Sequence, residues 1–230
     1  MASLSLHQKL IMKKALLILI TLVSFSCKKE VKTTKKQLTT AQKIANANGI
    51  SNWKKVSQID FTFNVDKDST HFERSWSWQP KTNQVTLIAN NDTLTYNRNK
   101  MDSTAIMADR GFINDKYWLL APFQILWDKG TTITDTIAEI APISQTKLNK
   151  LTLTYSNDGG YTPGDAYDFY YDKNYIIKEW IFRKSNATEP SMITSFENYQ
   201  DYNGIKIAKD HKKLEDTWNL NFTNIAIKME

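Results

Sequence analysis

Ile59-Asp60-Phe61-Thr62-Phe63-Asn64-Val65 decides the fold. Side chains on a β-strand alternate between faces, so Ile59, Phe61, Phe63 and Val65 share one face and Asp60, Thr62 and Asn64 the other. That is the pattern of an antiparallel strand with one face buried and one wet. Asp66-Lys67-Asp68-Ser69 follows as a hairpin turn. Further strands are expected over 72–78, 84–89, 93–97, 132–137, 148–155, 167–171, 176–183, 192–199, 205–211 and 218–227. Turn chemistry joins several of them, as in Asn157-Asp158-Gly159-Gly160 and Asp201-Tyr202-Asn203-Gly204. Many short strands with regular turns predict a mainly β (α+β) fold, a curved, half-open antiparallel β-barrel. No long helices alternate with the strands, which argues against a doubly wound parallel sheet.

Two interruptions are helical. A short N-terminal helix is expected over 41–47, capped by Thr39 or Thr40 and ended by Gly49 in a left-handed conformation. A second helix is expected over 102–109, with Asp102 or Ser103 near its start. The segment Tyr117-Trp118-Leu119-Leu120-Ala121-Pro122-Phe123-Gln124-Ile125-Leu126-Trp127 is the most hydrophobic run of the body. Pro122 would break a central strand or the middle of a helix. The segment therefore reads as a bent helix that lies over the sheet as a lid.

Before the body lies a leader. Residues 1–26 read as a signal peptide, with Met12 the better of two candidate starts: charged Lys13-Lys14, an apolar middle, and small residues at the cut. The apolar run is shorter than the roughly 20 residues of a membrane-spanning helix. Cys27, the only cysteine, directly follows Ser26 and resembles the lipid-attachment cysteine of a bacterial lipobox, although Ser24 and Phe25 depart from its usual pattern. An intramolecular disulfide is excluded by count, and acylation is the fate that the surrounding sequence explains. Residues 27–38 then make a lysine-rich, unstructured tether, and 39–230 a single domain.

Charge follows the same division. The chain holds 30 basic and 24 acidic residues, but eight lysines and one glutamate lie at or before Lys36. The remainder holds 22 basic against 23 acidic residues, so the basic balance belongs to leader and tether. Nucleic acid is therefore not an expected partner. The expected partner is a membrane, reached through the lipid anchor; the tether lysines either add about 1 kcal/mol each near an anionic surface or are solvated spacer charge.

Signals of catalysis are weak, and no enzymatic activity is expected. His71 and His211 are isolated on strands, and a zinc site needs three or four ligands. No nucleophile elbow, His-Glu-x-x-His or phosphate-cradling loop occurs. Asp158, Asp165 and Asp168 border a glycine-rich loop where oxygen ligands could hold calcium, but their spacing is not that of an EF-hand, and an ordinary hairpin loop is the simpler reading. No metal and no cofactor is expected.

Aromatics carry more weight. Trp76 and Trp78 share a strand face, and the chain is 12% Phe, Trp and Tyr. Rings on a concave sheet either pack as core or line an apolar cavity. Phe61, Phe63, Trp76, Trp78, Trp118, Phe123 and Trp127 are the expected lining.

The order of features resembles LolA/LolB-like lipoprotein-sorting domains, and most closely lipoproteins of Bacteroidota that carry such a domain. The resemblance rests on Ile44-Ala45-Asn46-Ala47-Asn48-Gly49-Ile50-Ser51-Asn52-Trp53 before the Phe61/Phe63 strand, and on Tyr117 to Phe123. Tyr170-Tyr171-Asp172-Lys173, Trp180 and Phe196-Glu197-Asn198-Tyr199 with Asn203-Gly204-Ile205-Lys206-Ile207 complete it. It implies an open barrel under a helical lid, with a cavity for lipid or lipoprotein acyl chains. It also implies a monomer in the cell envelope, anchored at the outer membrane of a Gram-negative bacterium. The alternatives are a structural or interaction lipoprotein whose aromatics only fill a core, and a surface glycan-binding module or hydrolase.

Overall fold

A computed structural model describes residues 37–158 and 162–230. The expected signal peptide, Cys27 and the lysines of the expected tether lie outside the described residues, as does Gly159-Gly160-Tyr161. The description concerns the body, Leu38–Glu230.

Strand β1 (Val56–Lys67) contains the alternating stretch and pairs on both edges, with β2 (Thr70–Gln79) and with the C-terminal β13 (Asn219–Met229). Phe61 and Phe63 are buried on its inner face, and Phe61 stands opposite Trp76. On its outer face Thr62 and Ser75 share a hydrogen bond of 2.7 Å between hydroxyls. With β3 (Gln84–Ala89), β4 (Asp92–Asn97) and β12 (Asp210–Lys212) they form a six-stranded antiparallel sheet, in the order β12-β13-β1-β2-β3-β4.

A second sheet is a simple meander of β5 (Thr131–Ile140), β6 (Lys147–Tyr155), β7 (Ala166–Tyr171), β8 (Ile177–Arg183) and β9 (Met192–Ser195). Its inner face carries Leu151, Leu153 and Tyr155, then Tyr167, Phe169 and Tyr171, then Trp180, all buried. A small hairpin, β10 (Gln200–Tyr202) with β11 (Ile205–Ile207), turns on Asn203 and Gly204, both at positive φ as such tight turns require. The two large sheets meet where the Glu197 N–H donates to Asp210 O (2.9 Å) and the Lys212 N–H to Ser195 Oγ (3.0 Å). The sheets are open and curved, and they do not close into a barrel.

Helix α1 (Thr40–Ala47) begins at Thr39 with a reciprocal capping box, in which the Thr39 side chain accepts from Gln42 N–H and Gln42 from Thr39 N–H. Gly49 follows at φ 90°, and there the chain passes so close to the β10–β11 turn that a Cβ would lie 1.8 Å from Gly204 O. Gly49→Ala is expected to cost at least about 2 kcal/mol, since a strained φ alone costs roughly 1–3. Denaturant unfolding checks it against Gly164→Ala, which shares the positive φ (81°) without the backbone clash. Equal losses at the two positions would contradict the close-approach argument.

Helix α2 (Ser103–Leu119) is capped by Asp102, whose carboxylate accepts from Ala105 N–H at 2.8 Å. It runs ten residues beyond the expected end at Asp109. Leu120 then leaves the helical line, and α3 (Ala121–Trp127) starts with Pro122 in its first turn, where a missing N–H costs nothing. The bend expected in the 117–127 segment is therefore real, with its corner at Leu120 rather than at the proline. The strand expected over 192–199 stops at Ser195, and that over 205–211 divides into β11 and β12.

Candidate functional site

Helix α2 has two working faces because apolar and polar residues recur on it at two offsets. Ala105, Asp109, Phe112, Lys116 and Leu119 form one stripe, toward the six-stranded sheet. Phe112 meets Trp76 and Trp78 edge-on, each at 5.4 Å between ring centres. Two buried carboxylates fix this face. Asp115 is gripped by Arg74 through Nε (2.5 Å) and Nη2 (2.6 Å), and accepts from Trp76 Nε1 at 2.8 Å. Asp109 accepts from Arg98 Nε (2.8 Å) and Tyr96 OH (3.0 Å). Lys116 is buried among these groups, over the rings of Trp78 and Phe112, and burial pushes its ammonium down to about 7.

The other stripe, Arg110, Ile113, Asn114, Tyr117 and Trp118, faces the meander sheet. Tyr117 packs on Tyr167 (4.9 Å) and Trp118 on Trp180 (4.2 Å). Between this stripe and the sheet lies a cavity of about 430 Å³, completed by Thr162, Tyr167, Trp180, Phe182 and Met192. Its lining is graded. Arg110 and Asn114 are exposed at the rim, Ile113, Phe182 and Met192 are half-buried, and Tyr117, Tyr167 and Trp180 form a buried floor. Behind the floor the Tyr155 hydroxyl donates to Asp128 (2.6 Å), and its oxygen lies 3.1 Å from the Tyr117 hydroxyl, from which it can accept. Burial raises the Asp128 carboxyl above its ordinary range.

Of the seven residues expected to line a cavity, Trp118 lies in this one. Trp78, Phe123 and Trp127 instead gather around Trp53, with ring centres 5.5, 5.9 and 4.8 Å from it. Phe61 and Phe63 pack edge-on against Phe222 (6.0 and 5.9 Å), and Trp76 against Phe112. Arg110, Ile113, Asn114, Tyr117, Thr162, Tyr167, Trp180, Phe182 and Met192 are not among the seven. Carrying the helical period of Asp102–Asp109 past Gly111 would have aligned the first three with Tyr117 and Trp118. Mid-helix glycine, a poor helix former, hides that continuity. Here it also makes room: a Cβ on Gly111 would meet Arg74 Nη1 at 2.8 Å.

The loop carboxylates do other work. Asp165 accepts from Ser185 N–H (2.7 Å), and Asp168 from Arg183 Nε (3.0 Å) and Thr152 Oγ1 (2.5 Å). Among the described residues no group of three His, Cys, Asp or Glu could hold a metal ion. His71 is exposed and paired with Asp66 at 2.6 Å, which raises its pKa. His211 is fully buried against Trp118, Phe196 and Phe222. Its Nδ1 lies 3.2 Å from Ser195 O, which can only accept, so Nδ1 carries the proton. Burial pushes its pKa down to about 3.

No protein-family model matches the chain, and no curated protein matches it. Among solved structures, the chain is similar to a LolA superfamily protein from Nitrosomonas europaea, with 12% identity, a TM-score of 0.48, and 84% of this chain and 96% of that one covered. It is also similar to a DUF1329 family protein from Desulfovibrio piger, with 7% identity, a TM-score of 0.47, and 82% and 92% covered.

Proposed function

We propose that this chain is a membrane-anchored lipoprotein, acylated at Cys27, that binds a lipid or other apolar ligand and serves lipid or lipoprotein trafficking in the cell envelope. One observation carries the binding reading: the cavity between α2 and β7–β9, with an aromatic floor and a polar rim. Its volume lies at the lower end of the roughly 300–1,000 Å³ of ligand sites, which are mostly apolar with a few orienting polar groups. Burial of ligand methylenes, at about 0.8 kcal/mol each, supplies the driving force. In this reading α2 and α3 act as the lid, the body works as a monomer on its tether, and no bond is made or broken.

The anchor rests on the sequence alone, on a signal-like leader that ends in Ser26-Cys27. The full chain, expressed with its leader in a Gram-negative host, is expected to partition with membranes and to start at acylated Cys27 by intact mass. A soluble product cut elsewhere would end the anchoring reading. Lipid extraction of the natively purified chain is expected to release an apolar compound absent from a mock preparation.

A structural lipoprotein without ligand is the second reading, and the packed cluster of Trp53, Trp78, Phe123 and Trp127 favours it. It predicts no extractable lipid and no uptake of a fluorescent fatty acid.

A further inference from the structure

We propose that the cavity takes a single-tailed amphiphile with an anionic head, its tail on the floor of Tyr117, Tyr167 and Trp180 and its head at Arg110. This rests on the apolar-ligand reading and adds the chemical class and the orientation. Four arginines occur among the described residues. Arg74, Arg98 and Arg183 each hold a carboxylate, of Asp115, Asp109 and Asp168. Among the described residues Arg110 has no ion-pair or hydrogen-bond partner, and it stands exposed on the rim of an apolar cavity. Among the described residues no acidic one lines that cavity, because the neighbouring carboxylates of α2 are turned to the other sheet and already gripped. The wall is therefore cationic at its mouth and otherwise uncharged.

The inner end offers no such cation to a head group. Asp128 sits behind Tyr117 and Tyr155 with the ammonium of Lys116 near enough to act on it, so the depth holds charges of both signs behind an aromatic floor. Coulombic attraction at the rim and the apolar floor both direct the head outward. From Arg110 to Tyr117 is seven helical residues, about 10 Å of rise, which sets the span between head site and floor. A space of about 430 Å³ suits one tail and not the two or three of a phospholipid or a mature lipoprotein.

The test uses the full chain in a non-ionic detergent and four probes: laurate, dodecyl phosphate, dodecanol and dodecyltrimethylammonium. Binding is read from tryptophan fluorescence, since Trp118 and Trp180 line the site. Laurate and dodecyl phosphate are expected to bind, and Arg110→Gln to weaken both about tenfold while leaving dodecanol unchanged. A loss confined to one of the two anions identifies carboxylate or phosphate as the head. Arg110→Glu should move the preference to the cationic probe. Comparing each variant with the wild type on the same probe removes differences in micelle partitioning. Equal effects of Arg110→Gln on laurate and dodecanol would overturn the head site while leaving the apolar site standing. Binding of none of the probes would overturn both. Binding of diacyl phosphatidylglycerol as tight as that of laurate would overturn the single tail.

Discussion

Asp115→Ala is expected to lower the unfolding free energy by about 3–5 kcal/mol, the range for removing one partner of a buried ion pair. The side chain of Asp115 is fully buried, and its two oxygens receive four donors: Arg74 Nε and Nη2, Trp76 Nε1 and Asn114 Nδ2. Alanine would leave a guanidinium and an indole N–H partly or wholly inside without an acceptor. Loss of the acceptor matters more than loss of the attraction, because the desolvation has already occurred in the fold. Asp115→Asn keeps an acceptor and should lose less. Equilibrium denaturation reads both, and a double-mutant cycle with Arg74→Ala should show strong coupling. An Asp115→Ala loss below about 1 kcal/mol would mean that α2 is held by its apolar face alone.

Acid should act on the fold through His211. Its pKa is lowered from 6.5 to about 3 by burial, so the unfolded chain binds the proton and the folded chain does not. Stability from this group is complete above the unfolded pKa and is lost as pH falls from about 6.5 toward 3. One proton costs up to about 1.4 kcal/mol per pH unit, hence about 2 kcal/mol between pH 7.5 and pH 5. His71 works in the opposite sense: its pKa is raised by Asp66, so its contribution is present at low pH and disappears as pH rises. The comparison therefore belongs in a His71→Gln background. There His211→Asn, which retains a donor for Ser195 O and cannot titrate in this range, should be less stable at pH 7.5 but should reduce the slope between pH 7.5 and 5, leaving the part near pH 7 that the lowered Lys116 supplies. An unchanged slope would show that some other group binds the proton.

Strands were the legible part. The spacing of Ile59, Phe61 and Phe63 placed β1, and the runs at 84–89 and 148–155 fall on β3 and β6 to within a residue. Period two is a local property, visible wherever one face is wet. The long helix was half legible. Its amphipathicity is divided between two stripes, because both faces of α2 are covered, one by each sheet. No single apolar face marks its second half, and Gly111 and the buried charges of Asp109, Asp115 and Lys116 look like a surface in the sequence.

The candidate site shows the same limit. Sequence supplied the wealth of aromatic rings and one lining residue, Trp118, together with the lid segment that contains Tyr117. Whether a ring packs or lines depends on which ring it meets across the sheets, and those partners lie far apart along the chain. Trp78 finds Trp53, whereas Trp180 finds Trp118 and the cavity edge. By itself the sequence determined the β architecture, the short capped helix and a bend within 117–127, because each is written in neighbouring residues. The tertiary structure alone decided that two open sheets enclose α2, that Asp109 and Asp115 turn inward to arginines, and that Arg110 is left at a cavity rim, because each is a contact between distant segments.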